Sequence, residues 1–228
     1  MNKSKKVVIS LGGSIVVPGE IDTGFIRSFR ELILGYVAQG FQFYIIVGGG
    51  SVSRSYTKKA SEIIALSSDE LDWLGIYGTR LNAELIKIIF KDIAYADIVI
   101  DPTLPITTDK SVVVGAGWKP GWSTDYVAIT LAKTVGAKQV INLSNVDCVY
   151  DADPRTNPDA QKILHTTWAE YRTLIPTTWK PGLSSPFDPI ASKLAEESSI
   201  EVAIINGKKL DAFKNYIAGQ AFDGTVIK

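Results

Sequence analysis

Three glycine-containing loops follow predicted strands in this chain of 228 residues. They are the first glycine loop "LGGS" (Leu11–Ser14), the second glycine loop "VGGGS" (Val47–Ser51) and the third glycine loop "VGAGWKPGWSTD" (Val114–Asp125). Glycine has no Cβ and permits positive φ, so its backbone N–H group can face a ligand at short range. One such loop is usually a tight turn, but three together indicate a site for several phosphates.

Several phosphates on separate loops suggest a donor and an acceptor, and therefore phosphoryl transfer, which depends on positioning and charge neutralisation. Arg54 lies four residues beyond Gly50, about one helical turn into the next element. Its planar guanidinium can bind two phosphate oxygens and stays cationic at physiological pH. The sequence therefore predicts that the glycines admit a phosphate and that Arg54 holds it. The alternative is a solvated surface arginine.

Short apolar runs alternate with longer amphipathic runs, a pattern that predicts an α/β fold with a parallel sheet between two layers of helices. The predicted strands are Val7–Leu11, Phe41–Val47, Asp97–Ile100, Ser111–Val114, Gln139–Leu143, Glu201–Ile205 and Thr225–Ile227. The predicted helices cover Phe25–Val37, Asp69–Phe90, Thr124–Val135, Trp168–Leu174, Pro189–Glu197 and Leu210–Ile217. Because the carboxyl ends of parallel strands share one edge, the three glycine loops should converge there.

The composition sets the broad class of the protein. Hydrophobic residues make up 46%, while basic and acidic residues both total 24, so nucleic acid and membrane are not expected partners. The single cysteine, Cys148, fits a reducing compartment, and the apolar run near the start is too short for a signal peptide. We expect one cytoplasmic domain over residues 1–228, with a lid at residues 175–187. No metal-ligand cluster is predicted, nor a catalytic role for the only histidine, His165.

Six segments spread along the chain match the pattern of one family. They are "SLGGS", "VGGGSVSR", "DWLGIYGTRLNAEL", "KPGWSTDYVAITLA", "NVDCVYDADPR" and "DPIASKLA". With these motifs the whole chain resembles the amino acid kinase superfamily and, within it, the archaeal-type branch of the uridylate (UMP) kinases. The resemblance implies a three-layer α/β/α sandwich with a mainly parallel central sheet. It also implies transfer of the γ-phosphoryl group of ATP, bound with Mg²⁺, to UMP in pyrimidine nucleotide synthesis, by a homo-oligomer that is commonly a hexamer.

The resemblance also implies roles for individual residues. The ATP site, mainly in the C-terminal part, would contain Gly12, Gly13, Ser14, Gly50, Arg54, Ser144, Asn145, Tyr150 and Asp153. The UMP site, mainly in the N-terminal part, would contain Gly49, Asp72, Trp118, Lys119, Pro120, Gly121, Trp122, Ser123 and Thr124. The implied catalytic residues are Arg54 and Asp125, of which Asp125 would orient Mg²⁺ or the catalytic cations.

Several of these residues also have a purely structural interpretation. Asp72 could cap or solvate the start of a helix, and Asp125 could sit in a first helical turn because the dipole favours it. Tyr150 could be ordinary packing. Trp118 and Trp122 could belong to a lid or to a subunit contact. The sequence leaves these alternatives open.

Three positions depart from the family pattern. Ser10 stands where bacterial UMP kinases have a lysine, Ser51 where the archaeal branch usually has a lysine, and Cys148 where a glycine is usual. The transferring group would then be neutralised by Arg54, Mg²⁺ and one further cation. The sequence offers three candidates for that cation: Lys6, Arg80 and Lys119.

The acceptor separates the branches of the superfamily. Isopentenyl phosphate kinases carry a histidine in the second glycine loop, and acetylglutamate and aspartate kinases lack the aspartate of D-x-x-G followed by T-R-x-N-A. UMP is therefore favoured over another small phosphate or carboxylate acceptor. A nucleotide-binding or storage protein on the same fold, without turnover, is the alternative from another class, supported only by the missing lysines.

Overall fold

The computed structural model describes residues 5–178 and 185–228, so residues 179–184 of the predicted lid lie outside the described residues. The strands are β1 Lys5–Leu11, β2 Phe41–Val47, β3 Val112–Gly115, β4 Gln139–Ser144, β5 Val149–Tyr150, β6 Lys162–Ile163, β7 His165–Thr166, β8 Glu201–Asn206 and β9 Thr225–Ile227. The helices are α1 Gly13–Val16, α2 Thr23–Val37, α3 Gly50–Ile63, α4 Ser68–Ile89, α5 Thr124–Val135, α6 Trp168–Thr173, α7 Pro189–Glu197 and α8 Leu210–Ile217.

Within the described residues, seven strands form one sheet in the order β3-β2-β1-β4-β8-β9-β7. All neighbouring pairs are parallel except β8 and β9, which run antiparallel. The chain moves from β1 outward to β2 and β3 and then returns to place β4 on the other side of β1. In parallel sheets such a reversal of strand order opens a crevice at the carboxyl ends of the strands. The prediction of a mainly parallel sheet is confirmed.

Side chains alternate between two buried layers along each central strand, as the pleat of a strand requires. In β1, Val7, Ile9 and Leu11 join a core that includes residues of α2, α4 and α8. Val8 faces the opposite core, which is built with α5, α6 and α7. The sheet is therefore covered on both faces, and the predicted three-layer α/β/α architecture is confirmed.

Local capping explains where the helices around the crevice begin and end. Ser67 caps α4 and exchanges hydrogen bonds with Glu70 in a capping box. Ser123 caps α5 by accepting from the N–H of Tyr126, and Gly136 ends the helix with φ of 73°. No helix within residues 5–178 and 185–228 combines the length and apolar character needed to cross a bilayer.

The strand predicted over Asp97–Ile100 is wrong. Only Val99 pairs there, as an isolated bridge to Gly115 at the outer edge of β3. The chain then turns away at Asp101, whose carboxylate accepts hydrogen bonds from the N–H and hydroxyl of Thr103. An aspartate that bonds to the backbone two residues ahead favours a turn over an extended strand.

Candidate active site

A cavity of about 1400 Å³ lies where the three glycine loops meet. Pockets for one drug-sized ligand usually occupy roughly 300–1,000 Å³, so this space can hold two nucleotides. Eleven of the residues that the sequence predicted for the site line it: Ser14, Gly49, Gly50, Arg54, Asp72, Trp122, Ser123, Thr124, Asn145, Tyr150 and Asp153.

The other predicted site residues lie in or next to the same loops but do not line the cavity. They are Gly12, Gly13, Trp118, Lys119, Pro120, Gly121, Asp125 and Ser144. Gly12 illustrates their role, because its N–H donates to the carbonyl of Leu143 at 2.8 Å. This bond ties the first glycine loop to the end of β4.

The first two glycine loops contact each other through their backbones. A Cβ on Gly13 would lie 2.1 Å from the backbone N of Gly50, and a Cβ on Gly50 would lie 2.3 Å from the carbonyl oxygen of Gly13. Gly50 also has φ of +58°, which disfavours other residues. The sequence interpretation attributed the missing side chains to an approaching phosphate. The structure supplies a nearer cause, which is the contact between the two loops.

Arg54 bridges two glycine loops at the cavity wall. It projects from α3, which begins in the second glycine loop, and its Nη1 donates to Ser14 Oγ in the first loop at 3.1 Å. Arg54 is exposed and lines the cavity. Because the guanidinium has five N–H donors, one bond to a hydroxyl leaves donors for a ligand.

Helix α4 fixes the third glycine loop. Asp72 accepts from the N–H of Gly121 at 2.8 Å, and Thr79 Oγ1 accepts from the N–H of Gly117 at 2.8 Å. Asp72 lies beyond the first turn of α4, which Ser67 caps. The interpretation of Asp72 as a helix cap is therefore wrong. The carboxylate fastens a loop while also lining the cavity.

The second glycine loop is also anchored by α4. Asn82 Nδ2 donates to the carbonyls of Gly48 and Gly49, both at 2.9 Å. The hydroxyl of Ser53, on α3, donates to the carbonyl of Gly75 at 2.7 Å and joins the two helices. The T-R-x-N-A pattern of the sequence thus places Thr79 and Asn82 where they hold two loops in position.

Asp125, the last residue of the third glycine loop, lies half-buried in the first turn of α5. Ser10 Oγ donates to its Oδ1 at 2.8 Å, and the N–H of Asp188 donates to its Oδ2 at 3.3 Å. Burial raises the pKa of Asp125 to about 7, and the nearby Asp188 carboxylate adds to the rise, while the Ser10 hydrogen bond opposes it. Among the described residues, Ser10 bonds to this carboxylate and no cationic side chain pairs with it.

Asp188 adds a second acid beside the first. It caps α7, and its Oδ1 accepts from the N–H of Ala191 at 2.6 Å. Its Oδ2 is buried and has no hydrogen-bond partner within the described part of the chain. Burial raises the pKa of Asp188 as well. Two carboxyl groups behind one wall of the cavity therefore favour protonation or the approach of a cation.

The three cations that the sequence proposed as replacements lie off the cavity wall. Lys6 Nζ donates to the carbonyl of Val135, close to the start of β1 and at the end of the sheet opposite the glycine loops. Arg80 Nη2 donates to the carbonyl of Trp118 at 3.2 Å. The Lys119 ammonium lies 4.0 Å from the ring centre of Trp118.

Sequence reasoning missed several residues that line the cavity. Four of them lie on α3 beyond the second glycine loop: Ser53, Thr57, Lys58 and Ser61. Others come from α4, from the loop after β4 and from the last residue of β8: Gly75, Ile76, Thr79, Asp147 and Asn206. The available signal was the four-residue spacing of Ser53, Thr57 and Ser61, and of Arg54 and Lys58, because residues four apart share one helix face.

The 145–155 segment forms another wall of the cavity. Asp147 accepts from Asn206 Nδ2 at 2.8 Å and pairs with Lys209 at 3.0 Å, and these contacts keep the pKa of Asp147 below its ordinary value. Asp153 pairs with Arg155 at 2.8 Å, which lowers the pKa of Asp153. The segment therefore combines these polar contacts with a buried anchor, because Val149 packs in the core and its N–H donates to Thr225 Oγ1 at 2.8 Å.

Tyr150 lies in β5 and pairs with Lys162 of the antiparallel strand β6. Burial raises the pKa of its hydroxyl. Ser144, at the end of β4, accepts from the N–H of Val146. Tyr150 is therefore both part of a small sheet and part of the cavity wall.

Comparisons with known proteins agree with this architecture. The amino acid kinase family model matches residues 5–206. The uridylate kinases of Sulfurisphaera tokodaii and Pyrococcus abyssi are 33% and 34% identical, each over 98% of this chain and 99% of their own length. The crystal structure of uridylate kinase from Archaeoglobus fulgidus superimposes with a TM-score of 0.81 at 33% identity, covering 98% of this chain and 100% of that one. This chain belongs to the amino acid kinase family.

Proposed function

We propose that this protein is a uridylate kinase, which transfers the γ-phosphoryl group of ATP to UMP and gives ADP and UDP. One observation carries the proposal. Three glycine loops from a parallel sheet meet at a cavity of about 1400 Å³ that has room for two nucleotides. Near full-length similarity to uridylate kinases supports UMP as the acceptor.

The N-terminal part of the chain would bind the acceptor. Asp72 lines the cavity and holds the 118–124 stretch through Gly121, so its second carboxylate oxygen is suited to a ribose hydroxyl. Trp122 stacks on Tyr126 with ring centres 4.0 Å apart, which gives a rigid apolar face beside the cavity. Gly49 would lie next to the acceptor phosphate.

The C-terminal part would bind ATP, with the first glycine loop and Gly50 near its phosphates. Asn145, Tyr150 and Asp153 line that side of the cavity. Arg54 lies between the two halves and is the residue best placed to neutralise charge on the transferring group. With the two nucleotides bound so that their phosphates face each other, the protein would act by positioning them and by stabilising charge on the transferring group.

Mg²⁺ would enter with ATP as part of the substrate. Mg²⁺ is usually held by substrate phosphates and one or two carboxylates, and within the described residues no three potential ligands cluster into a cage. The Asp188 carboxylate, whose Oδ2 is unpartnered among the described residues, lies behind the cavity wall and would act on the metal from there through its charge. Asp125, hydrogen-bonded to the N–H of Asp188, would keep that side chain in position.

We also propose that the protein self-associates, as the family resemblance to hexamers suggests. Four large apolar side chains are exposed on α4: Trp73, Tyr77, Leu81 and Ile88. Exposed apolar stripes of this kind often mark contact surfaces, and a second copy of the chain would cover this one. Sedimentation velocity would test the assembly.

A cytoplasmic location is proposed from the single cysteine, which fits a reducing compartment.

The test is ADP production from ATP and Mg²⁺ with a panel of acceptors: UMP, CMP, dUMP, isopentenyl phosphate, aspartate and acetylglutamate. We expect ADP to form with UMP well above the rate with every other acceptor and above the rate without one. Faster ADP formation with a different acceptor would reassign the substrate. Nucleotide binding without any acceptor-dependent ADP would identify a binding or storage protein and overturn the proposal.

A further inference from the structure

The cavity wall has few basic side chains to balance the negative charge of the two nucleotides that it is proposed to bind. Among the described residues, its basic side chains are those of Arg54, Lys58 and Arg155. Arg155 donates to both carboxylate oxygens of Asp153. Lys58 makes no ion pair or hydrogen bond within the described part of the chain. It is therefore a free cation at the wall of a site for polyphosphates.

Helix geometry directs Lys58 to the same side as Arg54. The two residues are four positions apart on α3, which places them on one face about 6 Å apart along the helix. Arg54 reaches the first glycine loop through Ser14. The flexible four-carbon stem of a lysine can span a similar distance, so the Lys58 ammonium can approach a phosphate that lies between that loop and α3.

Positions 10 and 51 carry serine where the family pattern has lysine, and neither serine side chain lines the cavity. Ser51 Oγ donates to the carbonyl of Gly19 at 2.9 Å, and Ser10 Oγ donates to Asp125 Oδ1 at 2.8 Å. A hydroxyl in either place adds no positive charge. The negative charge of two phosphorylated substrates must then be offset from another element, and α3 is the element that supplies an unpaired lysine.

We propose that Lys58 binds a phosphate of the nucleoside triphosphate donor and supplies the cation that the first two glycine loops lack. The inference rests on the proposed kinase function, because it assigns a residue to the donor side of that site. Lys58 acts as a compact point charge and not as a planar, two-pronged donor. Replacing it by arginine, which keeps the positive charge, should therefore preserve most of its effect.

The neighbouring Lys59 gives a matched control. It lies on the same helix, is exposed like Lys58, pairs with Glu62 at 2.7 Å and is absent from the cavity wall. The experiment compares the wild type with Lys58→Met, Lys58→Arg and Lys59→Met. It measures steady-state KM for ATP with Mg²⁺, KM for UMP, and the Kd of a non-hydrolysable ATP analogue by calorimetry at two salt concentrations.

We expect Lys58→Met to raise the KM for ATP and the Kd of the analogue by about tenfold at low salt, the scale of one charge-assisted hydrogen bond. The salt dependence of analogue binding should become shallower, because one ionic contact is lost. Lys58→Arg should recover most of the affinity, and Lys59→Met should stay within about twofold of the wild type. The KM for UMP should change little in all three variants.

Equal behaviour of Lys58→Met and Lys59→Met would overturn the inference, and so would an effect confined to UMP. Failure of the kinase assignment would look different. The wild type itself would then form no UMP-dependent ADP, whatever the variants do to binding of the analogue. Thermal unfolding of each variant should match the wild type, since both lysines are exposed.

Discussion

The two walls of the cavity are held by different kinds of contact. The first and second glycine loops touch through backbone atoms, and Asn82 clamps the second loop from inside. The 145–155 segment instead combines one buried anchor, the bond from the Val149 N–H to Thr225 Oγ1, with exposed charges, including Lys209 paired with both Asp147 and Asp223. Backbone contacts between buried loops tolerate little change, whereas exposed ion pairs contribute little individually. The comparison suggests a rigid wall opposite an adjustable one.

The largest expected effect comes from adding one methyl group to the rigid wall. Gly13→Ala places a Cβ 2.1 Å from the backbone N of Gly50, so the two loops must separate. We expect the free energy of unfolding to fall by about 3 kcal/mol or more, as measured by urea denaturation. Gly35→Ala, where a Cβ meets nothing within 4 Å inside α2, is the control and should be neutral or stabilising by up to about 1 kcal/mol. A stable Gly13→Ala protein would contradict the rigid wall.

Arg54 joins the rigid wall to the reacting groups, and its replacement tests geometry at constant charge. Lysine cannot bind two phosphate oxygens with a fixed planar fork. We expect Arg54→Lys to lower kcat for UMP-dependent ADP formation by about 100-fold. Arg27→Lys, at an exposed position on α2, should keep wild-type kcat. Near-normal turnover in Arg54→Lys would remove Arg54 from the mechanism.

Asp125 tests whether the rigid wall carries an electrostatic cost. Its pKa rises from 3.8 to about 7 on burial, so between these values the folded state binds more protons than the unfolded state. Stability should therefore fall as the pH rises through that window, by about 2 kcal/mol between pH 5 and pH 8. Urea unfolding of the wild type and Asp125→Asn at several pH values measures it. Asp125→Asn should lose this part of the pH dependence. If stability changed with pH in parallel in the two proteins, the prediction would be refuted.

The smallest effect is expected in the adjustable wall. Asp223 pairs with Lys162 at 2.7 Å and with Lys209 at 2.8 Å. Asp223→Asn should raise the KM for ATP by about two- to fivefold at low salt, and the effect should fade at high salt because exposed pairs are screened. Asp211→Asn breaks another exposed pair, with Lys214 on α8, and should leave KM unchanged. A large, salt-independent change in Asp223→Asn would show that this wall is rigid as well.

Elements with clear end signals could be predicted from the sequence. Thr124–Val135 and Pro189–Glu197 have the predicted bounds, because Ser123 and Asp188 cap their starts and Gly136 ends the first. The helix α3 was not identified as such, since it begins with glycine and has few apolar residues. The two-residue strands β5, β6 and β7 depend on pairing between distant segments, which local patterns do not encode.

For the candidate site, the sequence predicted which loops meet but not why they contain glycine. The contact of Gly13 with Gly50 is a tertiary packing relation between residues far apart in the chain. Lys58 was overlooked for a related reason. An exposed lysine on a helix is usually just solvated, and only the fold shows that this helix face borders the cavity.

The position of Ser53 has a consequence for how this protein can evolve. Its hydroxyl lies 1.8 Å from where a Cβ on Gly49 would stand and 2.3 Å from where a Cβ on Gly78 would stand. Three residues thus share a volume that holds one small side chain. A larger side chain at position 49, 53 or 78 requires the residues at the other two positions to be glycine or similarly small. These three positions should therefore vary together among homologous sequences.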